Sequence, residues 1–595
     1  MSPESGHRWR NLSAAFGLFA WVLLGHGALP FAAMPTLGQA LWTTGFSTSF
    51  ARGGLFNLYA HNFGLPAPAP IAFGLPGAYP AGLFIAAGLH PGDAYAAVLW
   101  LWLAIAFWGA RRVGYHLGLS SPMASLAAAV WLTLPLVWNH AHYSMLSMGF
   151  ALLPTYFLAP LVLVRRPPLT LRDRLRHAVA YAVTATLAMF MDGYTFVFFA
   201  VAASLLLIWT LATEITLRRA ILLFGLPLHA LSLAVAGKLY TSYVGRTGFA
   251  VEPLDAFRGW GLDLRFLAIP TTGTHWLFDV IGLSESRSTV EQFGDASVWQ
   301  TTFLLPLVLL GLFAFWRTRN RLALVFLVTA LFGGYMALGP SVKLHHTRPL
   351  AMQSQPNPLM PAELAGPRTG NGFLSKHLPG FKNMRASYRW MGLSALGFWL
   401  LVLLWLAQPG ERRRYVVLLL ILLANTPQLQ VKWQTDIDYR NNLRTLDTAL
   451  LDDLRSQLKQ QERVLFLPFG NDFIVNYLAS RLDVRAYNIG GDKNLAMARA
   501  QWPTTLQQFE MGRIDPGFVP RIQKVLEQER DVDVVILPYF DMLWAAHHWP
   551  CGEQHLAKCP DEIAADLAPT LRALQATPGL QILPRERYIL VRRGN

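Results

Sequence analysis

The sequence predicts a polytopic α-helical membrane protein of about eleven spans with a C-terminal α/β domain, and three observations carry that prediction. Hydrophobic residues make up 53% of the chain and charged residues only 14%, too apolar a balance for a soluble protein of 595 residues. Apolar runs close to the ~20 residues that a helix needs to cross ~30 Å of hydrocarbon recur between residues 13 and 430. Arginine clusters occupy alternate gaps between those runs, and beyond residue 434 short strand-like runs take over.

The arginines orient the spans. The clusters are His7-Arg8-Trp9-Arg10, Arg111-Arg112, Arg165-Arg166 with Arg172, Arg174 and Arg176, Arg218-Arg219, Arg317 with Arg319 and Arg321, and Arg412-Arg413-Arg414. Placing each on the cytoplasmic side, where Lys and Arg accumulate, puts the spans at 13–34, 93–110, 123–140, 144–164, 177–191, 194–214, 220–243, 298–316, 321–339, 390–408 and 415–430. An odd number sends the two ends to opposite faces. The N-terminus is then cytoplasmic and 435–595 is an external domain. The first apolar run is long and lacks a small-residue cleavage site, so it reads as a signal anchor.

The apolar stretch 70–89 would break this alternation if it crossed. Its prolines (Pro70, Pro76, Pro80) and glycines fit a broken, juxtamembrane or re-entrant element inside one external loop, 35–92. The expected division is thus a membrane module, 1–434, with external loops at 35–92, 245–297 and 340–389, followed by the domain 435–595. The cytoplasmic loops are short, which puts the work on the outer face. The net charge of +15 sits largely in the short basic clusters, where topology and anionic headgroups account for it without nucleic acid.

In the C-terminal domain, 463–468 (RVLFLP) and 532–538 (VDVVILP) read as buried strands. Helical stretches fall near 443–461, 503–512 and 561–576, and 580–591 suits a closing hairpin. Alternating strand and helix predict a small mixed sheet. Gly490-Gly491-Asp492 alone is too weak for a phosphate-cradling motif. Cys551 and Cys559 lie in CGEQHLAKC; in an oxidising compartment they would form a disulfide, and otherwise they are two free thiols. His547, His548 and His555 lack a regular zinc-ligand spacing. No cofactor or metal is assigned, although a divalent ion is left open.

Polar groups at span ends on one side mark candidate chemistry, because in a bilayer they are costly. On the outer face these are His61 with Asn62, Asp93, the segment Asn139, His140, His142 and Tyr143, and Asp192 in MDGYTF. Each has a plainer reading as well. Asp192-Gly193 makes a good tight turn, Asp93 is placed to cap the helix that starts beside it, and the histidines suit interfacial anchors. The loop 340–389 carries Lys343, Arg348, Arg368, Lys376, Lys382, Arg385 and Arg389 against one acid, Glu363. In FKNMRASYR, helical spacing would put Lys382, Arg385 and Arg389 on one face, an arrangement suited to a lipid phosphate or to headgroup snorkelling.

One span, a long first external loop, a second span ending in Arg-Arg and a later external α/β domain together resemble the GT-C superfamily of integral membrane glycosyltransferases. Within it, Pro270 through Glu291-Gln292-Phe293-Gly294 and then LPGFKNMRASYRW are similar to bacterial YfhO-type membrane proteins. The resemblance implies a protein of the bacterial inner membrane, with a periplasmic C-terminal domain. It also implies inverting transfer of a sugar from a polyprenyl-phosphate carrier to a glycan, lipid or protein acceptor on the periplasmic face. A carboxylate would take the acceptor's proton, and cations would hold the departing phosphate. Such enzymes usually place the acid in the first external loop, but no acid lies between Glu4 and Asp93. The base candidates are therefore Asp192, then Asp93, then His61. Lys382, Arg385 and Arg389 are the phosphate-binding candidates, and Asn139, His140 and His142 the acceptor or sugar contacts. The alternatives are a non-catalytic protein that binds a lipid-linked glycan, and a lipid or solute transporter.

Overall fold

The computed structural model describes residues 3–140, 144–245, 251–318, 320–354, 359–378, 380–409, 413–543, 545–551 and 558–594. The chain forms two units. The first gathers Met1–His26, Leu99–Ser242 and Ala250–Lys432, and the second Gly27–Val98, Tyr243–Phe249 and Trp433–Asn595.

Helices dominate the first unit. Among the described residues, Pro91–Leu117, Met145–Arg165, Gly193–Thr213, Ile215–Val244 and Ser387–Leu406 are long and apolar enough to cross a membrane, and Arg414–Ala424 with Leu429–Gln457 makes a further pair bent by 49°. Shorter apolar helices at Asn11–His26, Ser121–Leu132, Leu305–Arg317 and Leu322–Ala337 correspond to four more of the expected spans. The remaining one lies in Leu171–Met191, whose first turn follows a capping box made by Thr170 and Asp173. Ser121–Leu132 is short because Pro135 starts a separate turn, Pro135–Trp138. Leu222, Leu223, Leu231, Leu331 and Trp316 are exposed. Such apolar surface suits contact with lipid, and the chain is an integral membrane protein.

The core of this unit is Met391–Leu406, every residue of which is buried. It packs on Leu322–Ala337 and Leu305–Arg317. Glycines allow the close approach: a Cβ on Gly397 would meet Ala330 N at 2.5 Å, and one on Gly333 would meet Ser394 N at 2.4 Å. Two buried indoles find partners, Trp399 Nε1 donating to the Ala127 carbonyl at 3.0 Å and Trp131 Nε1 to that of Ala151 at 3.1 Å.

The second unit is built on a five-stranded mixed sheet. Its strands run in the order Arg485–Ala486, Arg463–Phe466, Val534–Pro538, Tyr588–Arg593 and Leu580–Pro584. The first three are parallel, and the last two, the expected hairpin, are antiparallel. Val534–Pro538 is buried along its whole length, as expected of a central strand. The helix expected at 503–512 shrinks to Thr504–Gln507, because Phe509 turns inward against Phe518 and the Arg521 guanidinium. Cys551 and Cys559 form a disulfide, their Cα atoms 5.0 Å apart.

Residues 27–98 depart from the expected division. Read from sequence as the end of the first span, the external loop 35–92 and the start of the second span within a 1–434 module, they pack instead with the C-terminal residues. Gly38–Arg52 is buried at twelve of the thirteen positions from 38 to 50, all but Gln39, and contacts both Leu75–Ala86 and Phe473–Leu482. Small residues make this possible. A Cβ on Gly45 would meet the Asn476 backbone at 2.6 Å, Ser480 Oγ donates to the Gly45 carbonyl at 2.7 Å, and Gly82 faces the Ser47 carbonyl. Trp42 Nε1 donates to the Gly490 carbonyl at 2.9 Å. Leu75–Ala86, the helical part of 70–89, has 12 residues with Pro80 inside and packs on Gly38–Arg52.

Candidate functional site

A polar centre in the first unit is assembled from three segments: the junction of Leu171–Met191 with Gly193–Thr213, the turn after Pro135–Trp138, and the run 381–390 ahead of Met391–Leu406. Asp192 has an extended backbone between the two helices and caps the second. Its Oδ2 accepts the Thr195 N–H at 3.0 Å, and its side chain is largely buried. Two residues on, the Tyr194 hydroxyl accepts the Ala386 N–H at 3.0 Å, and the Arg389 guanidinium lies 4.7 Å over the Tyr194 ring.

Aromatic stacking fixes the other side. Tyr388 lies parallel to His140, with ring centroids 5.6 Å apart and a 2.9 Å hydrogen bond between its hydroxyl and His140 Nε2. Trp260 stacks on Tyr388 at 6.3 Å, and the Arg385 guanidinium sits 5.9 Å from the Trp260 ring while pairing with Glu252. The Arg389 Nε reaches the Tyr388 hydroxyl at 3.5 Å. The centre thus holds two guanidinium groups, a buried carboxylate and a tyrosine between them, suited to gripping an anion beside a proton acceptor.

Of the residues expected from sequence, the structure brings together Asp192, His140, Arg385 and Arg389. Asn139 is half-buried and ends the turn Pro135–Trp138. His142 lies outside the described residues. Lys382 is exposed on a separate turn, Phe381–Asn383. The single helical face expected for Lys382, Arg385 and Arg389 does not form. Two 3₁₀ turns, Phe381–Asn383 and Ser387–Trp390, are separated by non-helical backbone at Met384 and Ala386. The reason is tertiary: Tyr194 Oη takes the Ala386 N–H and the Trp260 carbonyl takes that of Tyr388, so neither donor continues a helix.

The other two base candidates belong to the second unit. Asp93 does not cap its own helix. Its Oδ1 accepts from Arg440 Nε and from the Phe31 N–H, both at 2.8 Å, and its Oδ2 from Arg440 Nη2 at 3.1 Å, with Arg444 3.6 Å away. A buried carboxylate gripped in this bidentate way is a poor proton acceptor. His61 is exposed, and its backbone N–H donates to Ser49 Oγ.

Part of the basic loop serves the fold. Lys343 is buried and donates to the carbonyls of Arg258 at 2.7 Å and Gly261 at 2.6 Å, closing the end of the helix Leu254–Gly259. Burial pushes its amine down to about 8. Arg348 likewise donates to the carbonyls of Thr289 and Met352. Sequence reasoning did not single out Tyr194, Glu252, Trp260 or Arg440. Tyr194 and Tyr388 each stand inside a motif it did use, MDGYTF and RASYRW, whereas Glu252 and Arg440 carry no local signal.

No family model matches the chain, and no curated protein matches it. Solved structures do. The structure of ArnT from Cupriavidus metallidurans bound to undecaprenyl phosphate aligns with 99% of this chain and 98% of its own, at 12% identity and a TM-score of 0.50. The arabinofuranosyltransferase AftD from Mycobacteria aligns with 99% of this chain at 14% identity and a TM-score of 0.50, and the alignment spans 41% of AftD. At these identities the likeness is one of fold: the chain shares the polytopic fold of these solved structures.

Proposed function

We propose that the protein is a glycosyltransferase that moves a sugar from a polyprenyl-phosphate carrier to an acceptor on the periplasmic face of the inner membrane. The observation that carries this reading is the placement of the Arg389 guanidinium 4.7 Å over the Tyr194 ring, two residues from the buried Asp192, with Arg385 beside Trp260. The fold supports it, since ArnT binds undecaprenyl phosphate and AftD is an arabinofuranosyltransferase. An acceptor hydroxyl attacks the anomeric carbon while the bond from that carbon to the carrier's phosphate oxygen breaks, with inversion. Asp192 takes the hydroxyl proton. Arg385 and Arg389 stabilise the departing phosphate, Arg385 exchanging its Glu252 partner for it. His140 and Tyr388 hold the platform on which Arg389 rests. The sidedness rests on the arginine alternation, and a reporter fused after Asn595 should read as external and one after Arg112 as cytoplasmic.

The test separates binding from turnover. Purified Arg385→Ala protein should bind undecaprenyl phosphate more weakly by native mass spectrometry. Asp192→Asn should bind it normally and lose sugar transfer in membranes depleted of the native protein. A second reading, a non-catalytic binder of lipid-linked glycan, is favoured by the lack of any acid between Glu4 and Asp93. It gains if Asp192→Asn has no effect on glycan transfer while Arg385→Ala still weakens carrier binding.

A further inference from the structure

A cavity of about 830 Å³ opens in the first unit at the opposite end of Gly193–Thr213 from Asp192. Its wall includes Trp209 and Glu214, so by the helix rise it lies roughly 30 Å from the polar centre. Arg165 and Arg321 line it, and Arg165 also stands with Arg112 and Arg166 around His116. The wall acid, Glu214, is 3.8 Å from Arg321 and offsets only part of this positive charge. Among the described residues, two further lining groups have no hydrogen-bond partner, Trp209 Nε1 and Thr318 Oγ1. The hydroxyls of Thr210 and Thr213, by contrast, are spent on the carbonyls one turn back. An indole N–H can only donate, and an unmet donor among apolar helices is costly, so the cavity offers donors and cations to an acceptor-rich guest. Val164 and Leu404 supply an apolar flank that a small inorganic ion would leave unused.

We propose that this cavity is a second ligand site, which seats the phosphate headgroup of an anionic membrane lipid between Arg165 and Arg321, with Trp209 and Thr318 as the neutral donors. Phosphate is the shared chemistry of lipid and free ion, and the apolar flank selects the lipid. The site is independent of the transfer chemistry around Asp192.

The test uses the full-length protein in neutral detergent, with phosphatidylglycerol, phosphatidylcholine and inorganic phosphate as probes and retained ligand read by native mass spectrometry. Phosphatidylglycerol should be retained and should raise the melting temperature, phosphatidylcholine should bind at least tenfold more weakly, and millimolar inorganic phosphate should not compete. Arg165→Gln with Arg321→Gln should weaken phosphatidylglycerol retention at least tenfold and leave undecaprenyl phosphate binding unchanged. Trp209→Phe, which keeps an aromatic side chain and removes the donor, should weaken it several-fold and covers the case in which the double variant does not fold. Equal retention of both phospholipids, full competition by inorganic phosphate, or an unaltered affinity in Trp209→Phe and the double variant would each overturn the assignment.

Discussion

Asp93 and Asp192 stand at comparable places, each at the N-terminal end of a long apolar helix, yet the two units use them in opposite ways. In the second unit Asp93 is closed off by Arg440 on both oxygens and by the Phe31 N–H. In the first, Asp192 Oδ2 accepts the Thr195 N–H as a helix cap, within the polar centre that also holds Tyr194 and Arg389. A buried carboxylate held in a guanidinium fork is a structural clamp, because protonating it would break a desolvated pair. One that caps a helix beside an aromatic-lined cation pair can take up a proton. Partner geometry, and not residue type or helix position, separates the two roles.

The largest effect that would break this comparison is on turnover. Asp192→Asn should lower sugar transfer by roughly 10²–10⁴-fold, the usual cost of losing a general base, while leaving the melting temperature close to that of the parent, because Asn also caps helices well. Asp93→Asn should do the reverse, with less folded protein and unaltered transfer per folded molecule. If Asp93→Asn abolished transfer in well-folded protein and Asp192→Asn did not, the roles assigned here would be exchanged.

Next comes the clamp itself. Arg440→Ala removes the bidentate cation and leaves Asp93 buried with the more distant Arg444 at 3.6 Å, so denaturant melts should show a loss of about 3–5 kcal/mol. Carrier binding should change little in the protein that remains folded. A smaller loss, roughly 2–3 kcal/mol, should follow reduction of Cys551–Cys559, whose closed loop spans a sequence separation of 8. Intact-mass measurement after alkylation should find no free thiol before the reductant is added.

The finest effect is a slope. Asp472 is fully buried in the second unit, and burial pushes its carboxyl up to about 7, although Asn488 Nδ2 and the Gly470 N–H donate to it. The folded state therefore holds a proton that the unfolded chain releases near pH 4, so stability should fall as the pH rises from about 4 to about 7. Thermal melts across that range should show the decline, and Asp472→Asn should flatten it. An unchanged slope in that variant would assign the dependence to another group.

What the sequence by itself determined is whatever depends on local transfer free energy. The apolar runs and arginine punctuation marked the helices of the first unit closely, because a helix long enough for hydrocarbon must be apolar along its own length. The strands 463–468 and 532–538 and the hairpin near 580–591 were legible for the same reason, since a buried strand announces itself in four to eight residues. Asp192, His140, Arg385 and Arg389 were legible as polar groups at helix ends. Tertiary structure alone decided which of the candidates meet. The union of Gly38–Arg52 with Phe473–Leu482 depends on small residues fitting a partner more than 400 positions away, as in the bond from Ser480 to Gly45. The withdrawal of Asp93 depends on Arg440, 347 positions away, and the broken backbone of 381–390 on hydrogen bonds to Tyr194 and Trp260. Periodicity and hydropathy describe the cost of moving a segment out of water, whereas hydrogen-bond and ion-pair partners are set by three-dimensional proximity, which no local window records.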